Sequence, residues 1–333
     1  MKRDAKIYVA GHQGLVGSAL VTRLRALGYS NLLLRAHREL DLTDQREVKE
    51  FFAREHPEYV FLAAAKVGGI LANSIYPAEF IYQNLLIQTH VIHEAYRIEV
   101  KRLLLMGSSC IYPKHAPQPV KEESLLSGPL EPTNRAYAVA KIAGIEMCAS
   151  YNRQYGTRFL AAMPCNLYGP GDRYDLQNSH VVPAILRKMH EAKVRGAAQV
   201  EVWGTGNPRR EFLYSEDAAD ACVFLMNSPD EQLRPIFTRE EMHPIVNIGW
   251  GRDLTVREVA ELIAEVVGFR GHLVFDPSKP DGTPRKLLDI SRLSALGWKP
   301  KTSLREGLKS TYLEFSETAA RTSEAGQTLA ARR

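Results

Sequence analysis

Four side chains of this sequence could together move protons at a carbonyl group. Tyr137 and Lys141 are four residues apart, so a helix would carry the phenol and the ammonium on one face. Ser108 directly follows the apolar run "RLLLMG", and Cys110 comes two residues later. A phenol beside an ammonium can protonate a carbonyl oxygen, a hydroxyl can hydrogen-bond the same oxygen, and a perturbed thiol can act as an acid or a base. Taken alone, Cys110 could equally be core filling, because cysteine is among the residues most often buried.

The elements around these residues predict how they are positioned. The first half of the chain alternates short runs rich in Val, Leu and Ile with helical stretches. Such alternation is typical of a doubly wound parallel α/β sheet, a Rossmann fold, with helices on both faces. Ser108 then lies at the carboxyl end of a strand, where open α/β sheets keep their sites. The strands are expected in "KIYVAG", "SNLLLRAH", "YVFLAAA", "RLLLMGSS" and "TRFLAAMPCNLYGP".

The turn after the first strand carries the spacing G-x-x-G-x-x-G, at Gly11, Gly14 and Gly17. The first two glycines allow a tight turn and let backbone N–H groups approach a pyrophosphate, and the third lets the helix pack close to the sheet. A glycine triplet alone is a weak signal. At the first strand–helix junction of a doubly wound pattern, however, it predicts a dinucleotide cofactor.

The end of the second strand favours NADPH over NADH. NAD sites usually place an acid there to bind the ribose 2′-hydroxyl, but this chain has Arg35, His37 and Arg38, with no acid before Glu39. Guanidinium groups match a 2′-phosphate in charge and in geometry. We therefore predict NADPH as the cofactor, with Arg35 and Arg38 at its 2′-phosphate. The alternative is that Arg38 only covers the surface.

Beyond Tyr168 the alternation weakens, which indicates a smaller, partly interleaved α/β domain for the substrate. The expected NADP-binding Rossmann domain comprises residues 1–167 with about 213–250. The expected substrate-binding domain comprises about 168–212 and 251–318, and the Ala-rich polar stretch 319–333 predicts a frayed or disordered tail. We interpret "QVEVWGTGNPRREFLY" as a strand, a turn and a returning strand.

Composition and charge exclude several classes of protein. Of the 333 residues, 45% are hydrophobic and 24% are charged, which is enough apolar material for two joined domains. The net charge of +5 comes from Lys and Arg dispersed among acids, which argues against nucleic acid as a partner. The sequence contains no run of 18 apolar residues, so we expect no membrane span. No apolar leader precedes the first predicted strand, so we expect a cytoplasmic enzyme. The four cysteines show neither metal-site nor disulfide spacing, so no metal is expected.

Longer stretches of the chain resemble one family closely. Together with the glycine loop, the Ser/Tyr/Lys set is the pattern of the extended short-chain dehydrogenase/reductases. From about residue 6 to about 315, the chain resembles the GDP-L-fucose synthases, bifunctional 3,5-epimerase/4-reductases that act on GDP-4-keto-6-deoxy-D-mannose. The likeness is carried by "GHQGLVGSAL", "LAAAKVGGILAN", "FIYQNLLIQ", "GSSCIYPK", "EPTNRAYAVAKIAGI", "NLYGPGD", "NSHVVPAIL", "VWGTGNPRREFLY" and "SKPDGTPRKLLD".

The resemblance implies a role for each matching position. It places Tyr137, Lys141 and Ser108 at the reduction of the C4 carbonyl, and it assigns Cys110 and His180 to epimerisation at C3 and C5. Because the 4-keto group acidifies those carbons and is consumed by hydride transfer, epimerisation must come first. The implied substrate contacts are Lys188, Trp203, Arg210 and Asp281. The cofactor contacts, including the two arginines above, are Gly11, His12, Gln13, Gly14, Leu15, Val16, Gly17, Arg35, Arg38, Met106, Gly107, Ser108, Ser109, Lys141, Pro164, Cys165, Asn166, Leu167 and His180.

Two positions depart from the family pattern. Gln13 stands where many relatives carry Arg, which removes one possible 2′-phosphate contact and leaves that role to Arg35 and Arg38. Cys165 stands where Thr is more usual, beside the expected position of the nicotinamide. We expect the second departure to have a modest effect on the placement of the cofactor.

Three other functions are compatible with the same fold. A 4,6-dehydratase would need a carboxylate pair after the strand-end hydroxyl, where this chain has Cys110 and Ile111. A UDP-hexose 4-epimerase would keep NAD bound and would not require the thiol, and a binding protein without catalysis would not need Tyr137 and Lys141. Relatives commonly dimerise through helices that match residues 77–99 and 135–155, so a homodimer is expected.

Overall fold

The structure, a computed structural model, describes residues 1–175, 179–238, 243–279 and 281–330 of the chain. Its strands are β1 Ile7–Ala10, β2 Leu32–Leu33, β3 Tyr59–Leu62, β4 Arg102–Met106, β5 Phe159–Pro164, β6 Asn166–Tyr168, β7 Gln199–Trp203, β8 Arg209–Tyr214, β9 Ile245–Ile248, β10 Asp253–Thr255, β11 His272–Asp276 and β12 Arg285–Lys286. Its α-helices are α1 Leu15–Ala26, α2 Gln45–Glu55, α3 Ile70–Ile75, α4 Pro77–Arg97, α5 Arg135–Tyr155, α6 Val181–Val194, α7 Ser215–Asn227, α8 Asp230–Thr238, α9 Val256–Val267, α10 Ser291–Ala295 and α11 Leu304–Ala330.

The main sheet consists of parallel strands in the order β2-β1-β3-β4-β5-β9. Strands β1, β4, β5 and β9 are buried along their whole length, as expected where helices cover both faces of a parallel sheet. Helix α1 packs against α7, and α4 packs against α2 and α5. The predicted doubly wound parallel sheet is confirmed. Within the described ranges, no helix is long and apolar enough to cross a membrane.

Helix α5, which carries Tyr137 and Lys141, is fixed to the sheet at its far end. It stops at Gly156, whose φ of 68° is in the left-handed region that glycine adopts without strain. The Asn152 side chain then accepts a hydrogen bond from the N–H of Phe159 (2.9 Å) and donates one to its carbonyl oxygen (2.7 Å). Because Phe159 opens β5, these two bonds set the position of α5 relative to the strands.

The remaining strands form two smaller sheets. Strand β8 pairs in parallel with β6 and β12 and antiparallel with β10, while β7 and β11 form a separate parallel pair. The prediction that the strand after Trp203 returns along the first is therefore wrong, because β7 and β8 lie in different sheets. Gly204 and Gly206 both have positive φ, 84° and 81°, and Pro208 follows, so the chain diverges instead of forming a tight hairpin.

Two hydrophobic cores accompany these sheets. The first fills the space between the main sheet and its helices, and it also takes in Leu288, Leu293 and Trp298 from the C-terminal part. The second packs α6 and α9 against β7 and β8 and includes Leu308 of α11. Helix α11 spans Leu304–Ala330 and so includes most of the stretch for which fraying is predicted. The last three positions of that expected tail, 331–333, lie outside the described residues.

The buried carboxylate of Glu211 links the two cores. Glu211 of β8 is fully buried, and its two oxygens accept hydrogen bonds from the N–H groups of Gly251 (2.7 Å) and Leu288 (3.0 Å). Burial raises the pKa of Glu211 to about 7, against the opposing effect of these backbone hydrogen bonds. Gly249 has no room for a side chain, because a Cβ there would strike the carboxylate. Glu211 thus ties the end of β9 to the strands of the second core.

The raised pKa of Glu211 predicts a dependence of stability on pH. The folded protein keeps Glu211 protonated from pH 4.5, which is the pKa of this group in the unfolded chain, to about pH 7. The free energy of unfolding therefore falls as the pH rises through that window. From the difference between the two values, the loss is about 3 kcal/mol. Glu211→Gln should remove this slope and cost about 1–3 kcal/mol, because its NH₂ must face a backbone N–H.

Urea unfolding at a series of pH values measures this effect. The exposed Glu261 of α9 offers a matched control, and Glu261→Gln should keep the wild-type pH profile. A Glu211→Gln profile that runs parallel to wild type from pH 4.5 to pH 7 would contradict the assignment.

Candidate active site

The glycine loop between β1 and α1 is shaped to receive a phosphate group. Gly11 has a φ of 80°, and a Cβ there would lie 2.7 Å from the nitrogen of Ala64. A Cβ at Gly17 would collide with the carbonyl oxygen of Gly11, whereas a Cβ at Gly14 would meet nothing closer than 3.5 Å. Gly14 begins α1 without a side-chain cap, so the first-turn N–H groups remain available to an anion.

Other residues of this loop fit a bound dinucleotide. The ring nitrogen Nδ1 of His12 is buried and has no hydrogen-bond partner among the described residues, as expected for a group that a polar ligand would satisfy. Leu15 and Val16 form the first turn of α1, and Gln13 is exposed at the tip of the loop. The assignment of these loop residues to the cofactor stays a prediction.

The two arginines proposed for the 2′-phosphate have different surroundings. The guanidinium of Arg35 forms an ion pair with Glu55 (3.0 Å), donates to the carbonyl of Leu34 and lies over the ring of Phe51. Arg38 is exposed and has no ion pair within the described parts of the chain. The structure therefore favours Arg38 over Arg35 as the residue free to meet a phosphate.

The carboxyl ends of the paired strands β4 and β5 carry further positions that are predicted to contact the cofactor. Met106 and Gly107 close β4, and a Cβ at Gly107 would collide with the side chain of Met163. On the neighbouring strand, Pro164 ends β5 and Cys165, buried, leads into β6. The other positions predicted to contact the cofactor here are Ser109, Asn166 and Leu167.

Ser108 and Cys110 lie in a tight turn that directly follows β4. Ser108 is extended, with φ of −158°, and caps a short 3₁₀ helix by accepting a hydrogen bond from the N–H of Cys110 (3.4 Å). The thiol side chain is buried, with 7% of the residue exposed. Just beyond, the hydroxyl of Tyr112 donates to Oδ1 of Asn247 on β9 (2.6 Å), which fixes the turn to the sheet. The two functional side chains thus leave one strand end together, as predicted.

Tyr137 and Lys141 face this turn from the first two turns of α5. The Lys141 ammonium donates to the carbonyl oxygen of Met106 (2.8 Å) and lies 5.8 Å from the centre of the Tyr137 ring. The edge of that ring meets Phe80 of α4, with centroids 6.2 Å apart. Burial lowers the pKa of Lys141 to about 8, and the nearby Cys110 opposes that shift.

Burial is the main influence on the pKa of the Tyr137 phenol. Burial raises the pKa of Tyr137 well above its usual value, and the neighbouring Cys110 raises it further. A neighbouring ammonium can lower the pKa of a phenol by stabilising the phenolate, but Lys141 does not shift the pKa of Tyr137 in the protein alone. The phenol is therefore held in its protonated form, which is the form that can donate a proton.

The thiol is influenced by several groups of the site at once. Burial raises the pKa of Cys110, and the shift is opposed by the ammonium of Lys286, a hydrogen bond with Ser108, the ammonium of Lys141 and a backbone hydrogen bond of Cys110 itself. Ser108, Cys110, Tyr137 and Lys141 are thus brought into one cluster. Lys286 belongs to the same cluster although no role had been predicted for it.

His180 is not shown in contact with this cluster. It lies immediately before α6 and its surface is exposed. Partial burial of the imidazole lowers the pKa of His180. No described ionisable group shifts it, and the thiol is not among its partners. The expected pairing of His180 with Cys110 stays a prediction.

The four residues predicted to bind the substrate come together at one face. Trp203 is 55% exposed, and the ammonium groups of Lys188 and Lys279 lie 5.2 and 5.6 Å from its ring centre. Asp281 accepts hydrogen bonds from Thr205, from both its N–H (2.7 Å) and its hydroxyl (2.8 Å). Arg210 donates to the Asp281 carbonyl at 3.3 Å. An exposed aromatic plane flanked by cations suits a nucleotide with phosphates.

Sequence reasoning missed two residues of this region, Glu211 and Lys286. Both stand in stretches quoted for their family likeness, "VWGTGNPRREFLY" and "SKPDGTPRKLLD". No local spacing distinguishes them, because their positions depend on the pairing of β12 with β8. A signal was available only for Glu211, which is an acidic residue directly before the apolar Phe212 and Leu213 of β8.

Comparison with known proteins places these observations in context. The chain matches the model described as "NAD dependent epimerase/dehydratase family" over residues 7–249. It is 58% identical over 310 residues to GDP-L-fucose synthase 1 of Arabidopsis thaliana, covering 93% of each chain. It is 53% identical over 312 residues to GDP-L-fucose synthase of Escherichia coli (strain K12), covering 94% of this chain and 97% of that one. A solved structure of a GDP-mannoheptose C4 reductase from Campylobacter jejuni with NADP bound is 41% identical, with a TM-score of 0.85 over 95% of this chain and 99% of that one.

Proposed function

Because the chain belongs to the NAD dependent epimerase/dehydratase family and, within it, to the GDP-L-fucose synthases, we propose that it converts GDP-4-keto-6-deoxy-D-mannose to GDP-L-fucose. It inverts C3 and C5 and then reduces C4, using NADPH as its cofactor. The observation that carries this proposal is the cluster of Ser108, Cys110, Tyr137 and Lys141 at the end of β4. This cluster supplies one set of groups for proton transfer at carbon and another for proton transfer at oxygen.

Epimerisation uses the acidity that the ketone gives to its neighbouring carbons. A base removes the proton from C3 or C5, the electron pair of the C–H bond passes into an enolate, and a proton returns to the opposite face. We assign these transfers to Cys110 and His180, which both titrate near neutral pH when perturbed. Ser108 and Tyr137 donate hydrogen bonds to the C4 oxygen, where the negative charge of the enolate accumulates.

Reduction then consumes the ketone. NADPH, when bound, supplies the hydride that C4 receives. The phenol of Tyr137 gives its proton to the C4 oxygen, and the neighbouring ammonium of Lys141 stabilises the phenolate that remains. Solvent restores the phenolic proton before the next turnover. The raised pKa of Tyr137 in the protein keeps this proton in place until the oxygen becomes basic.

The nucleotide end of the substrate is assigned to the face formed by Trp203 and its neighbours. The exposed indole can stack on a base, and Lys188 and Arg210 can bind the diphosphate. Asp281 would hold the Thr205 loop and, through its backbone, the Arg210 guanidinium. These contacts explain preference for a nucleoside diphosphate sugar; preference for guanine over other bases is part of the proposal.

The direct test is incubation of the protein with GDP-4-keto-6-deoxy-D-mannose and NADPH. The expected product is GDP-L-fucose, identified by comparison of its sugar with authentic L-fucose. Formation of a reduced sugar with the original configuration at C3 and C5 would show a C4 reductase without epimerase activity and would overturn the bifunctional assignment. If no NADPH were oxidised at all, the assignment of GDP-4-keto-6-deoxy-D-mannose as the substrate would be overturned.

Cofactor preference gives a separate prediction. Arg38→Ala should raise the KM for NADPH by about 10- to 100-fold, the loss of one charged hydrogen bond, while the KM for NADH stays unchanged. Arg46→Ala is a matched control, because Arg46 lies on the exposed face of α2 and pairs only with Glu50 among the described residues. An equal effect of Arg38→Ala on both cofactors would contradict a contact with the 2′-phosphate.

We also propose a homodimer built from α4 and α5 of two copies. The two helices pack side by side and expose Tyr82, Val139 and Tyr155, by 64%, 41% and 48%. Sedimentation velocity measures the assembly, and a monomer at micromolar concentration would contradict it. The four cysteines are free thiols, which agrees with the reducing cytoplasm that we propose as the location.

A further inference from the structure

Cys110 lies in the middle of a turn whose start continues a paired strand. Gly107, directly after β4, donates its N–H to the carbonyl oxygen of Ala162 on β5 (2.8 Å). Beyond Gly107 the chain leaves the sheet. Within the described ranges, the hydrogen bonds that residues 108–112 make through their backbone close on the turn itself. The backbone therefore holds the start of the turn and leaves its far end to other contacts.

The far end of the turn is held by the side chain of Tyr112. The ring is buried, and its hydroxyl donates a hydrogen bond to Oδ1 of Asn247 on β9 (2.6 Å). Pro113 follows and has no N–H to donate, and Lys114 then donates its N–H to the carbonyl oxygen of Pro129 (3.0 Å). The Tyr112 hydroxyl thus joins the end of the turn to the main sheet by a directional bond.

The amide of Asn247 is oriented so that it accepts this bond. Asn247 is fully buried, and its Nδ2 donates to the carbonyl oxygens of Val120 (3.0 Å) and Asp289 (3.1 Å). Because both amide hydrogens go to carbonyls, Oδ1 faces the Tyr112 hydroxyl as an acceptor. The N–H of Asn247 donates to Glu122 (2.9 Å). A buried amide with all its partners in place is rigid, and loss of the hydroxyl would leave Oδ1 unpaired.

The groups assigned to reduction are held by other contacts. Ser108 directly follows the strand end, and Tyr137 projects from α5, where its ring edge meets Phe80 with ring centres 6.2 Å apart. Neither is anchored through Tyr112. Since Cys110 is two residues from Tyr112, release of the far end of the turn would displace the thiol more than the two donors to the C4 oxygen.

We infer that Tyr112 and Asn247 are positioning residues for epimerisation, whose hydrogen bond holds Cys110 where its sulfur reaches the hydrogens on C3 and C5. This inference rests on the proposed function and adds the contact that lets inversion outpace reduction. Both residues act through Cys110. Proton transfer from carbon needs close approach, and a misplacement of about 1 Å can slow such a step about 100-fold.

The test compares epimerisation with hydride transfer in Tyr112→Phe, which keeps the buried ring and removes the hydroxyl. Epimerisation is measured as deuterium uptake at C3 and C5 of the keto sugar in D₂O. Hydride transfer is measured in reverse, as initial NADPH formation from GDP-L-fucose and NADP⁺, a direction that needs no epimerisation. Deuterium uptake should slow about tenfold, and hydride transfer by at most about twofold. A mere loss of folded enzyme would lower both rates equally and leave their ratio unchanged.

Tyr29→Phe is the matched control. The buried Tyr29 also donates its hydroxyl to an asparagine, at Oδ1 of Asn227 (2.9 Å), but this pair lies near the ends of α1 and α7. The variant should keep the wild-type ratio. Asn247→Ser withdraws the acceptor instead of the donor, so it should lower the ratio as Tyr112→Phe does, and it replaces that variant if the latter does not fold. The double variant should be no worse than either single one.

A second readout needs no sugar. The full-length enzyme with NADPH bound is treated with iodoacetamide, and the peptides that contain the four cysteines are followed by mass spectrometry. In Tyr112→Phe, Cys110 should be alkylated about 3- to 10-fold faster, because a released turn opens more often. The buried Cys148, Cys165 and Cys222 should keep their wild-type rates, and they report any global unfolding.

The outcomes separate this inference from the proposed function. Equal slowing of both reactions in Tyr112→Phe, or faster alkylation of all four cysteines, would make the bond a general stabiliser of the fold and overturn the inference. An unchanged ratio of the two rates would also overturn it. If the wild-type enzyme made no GDP-L-fucose, the proposed function would fall, while faster alkylation of Cys110 alone would still support the positioning of the thiol.

Discussion

Tyr137→Phe is expected to lower the rate of NADPH oxidation with the keto sugar by about 10³-fold, because it removes the general acid at the C4 oxygen. The ring itself remains, so its edge contact with Phe80 and the packing of Lys141 are retained. Exchange of the C3 and C5 hydrogens with solvent should survive in part, because Ser108 still donates a hydrogen bond to the same oxygen. The two measurements therefore separate the reductive half of the reaction from the epimerising half.

The comparison variant for Tyr137→Phe is Tyr59→Phe, which removes a hydroxyl at the start of β3, outside the site. It should oxidise NADPH at the wild-type rate. Undiminished NADPH oxidation by Tyr137→Phe would remove the phenol from the mechanism. Equal loss of oxidation and exchange would instead indicate that the hydroxyl serves mainly to bind the sugar.

Cys110→Ser should abolish exchange at C3 and C5, with a loss of about 10²- to 10⁴-fold, since an alcohol does not ionise in the range where a thiol does. The experiment incubates the keto sugar in D₂O and counts deuterium at both carbons by mass spectrometry. With NADPH present, the variant should still reduce some ketone, and that product should keep its starting configuration. Such a product would demonstrate that reduction does not depend on prior epimerisation by the same molecule.

Cys148→Ala is the control for the loss of a thiol, because Cys148 is fully buried in α5 and serves only the core. It should keep both activities, with at most a lower stability. Normal deuterium incorporation by Cys110→Ser would make the thiol core filling and would leave His180 to act with another group. Loss at only one of the two carbons would assign Cys110 to that carbon alone.

The features that the sequence predicts best are those fixed by neighbouring residues. The G-x-x-G-x-x-G turn, the strand end at Met106 and the helix that carries Tyr137 with Lys141 all depend on short spacings. Each was confirmed as an element, the turn and the helix because their hydrogen bonds are local, and the strand because its continuous apolar run marks a buried strand of a parallel sheet. The family likeness then extended these elements to a function.

What the sequence does not contain is the pairing between distant strands. The stretch after Trp203 has the composition of a hairpin, yet β7 pairs with β11 and β8 with three other strands. Arg35 has the charge expected at a 2′-phosphate, but Glu55 of the next helix engages it. The burial that raises the pKa of Tyr137 likewise comes from elements far apart in the chain. These outcomes depend on tertiary packing, which single-residue chemistry does not specify.

The link that Glu211 forms between the two cores affects how ligands enter and leave the site. Rotation of one core against the other would pull the fully buried Glu211 carboxylate from backbone N–H groups on two different segments, which would cost two hydrogen bonds away from solvent. A hinge at this place is therefore disfavoured, and we expect the two cores to move as one body during turnover. Sugar nucleotides would then be admitted by movements of side chains such as Trp203 at the rim. We therefore expect the rate of product release to depend on the side chains of that exposed face rather than on a hinge between the two cores.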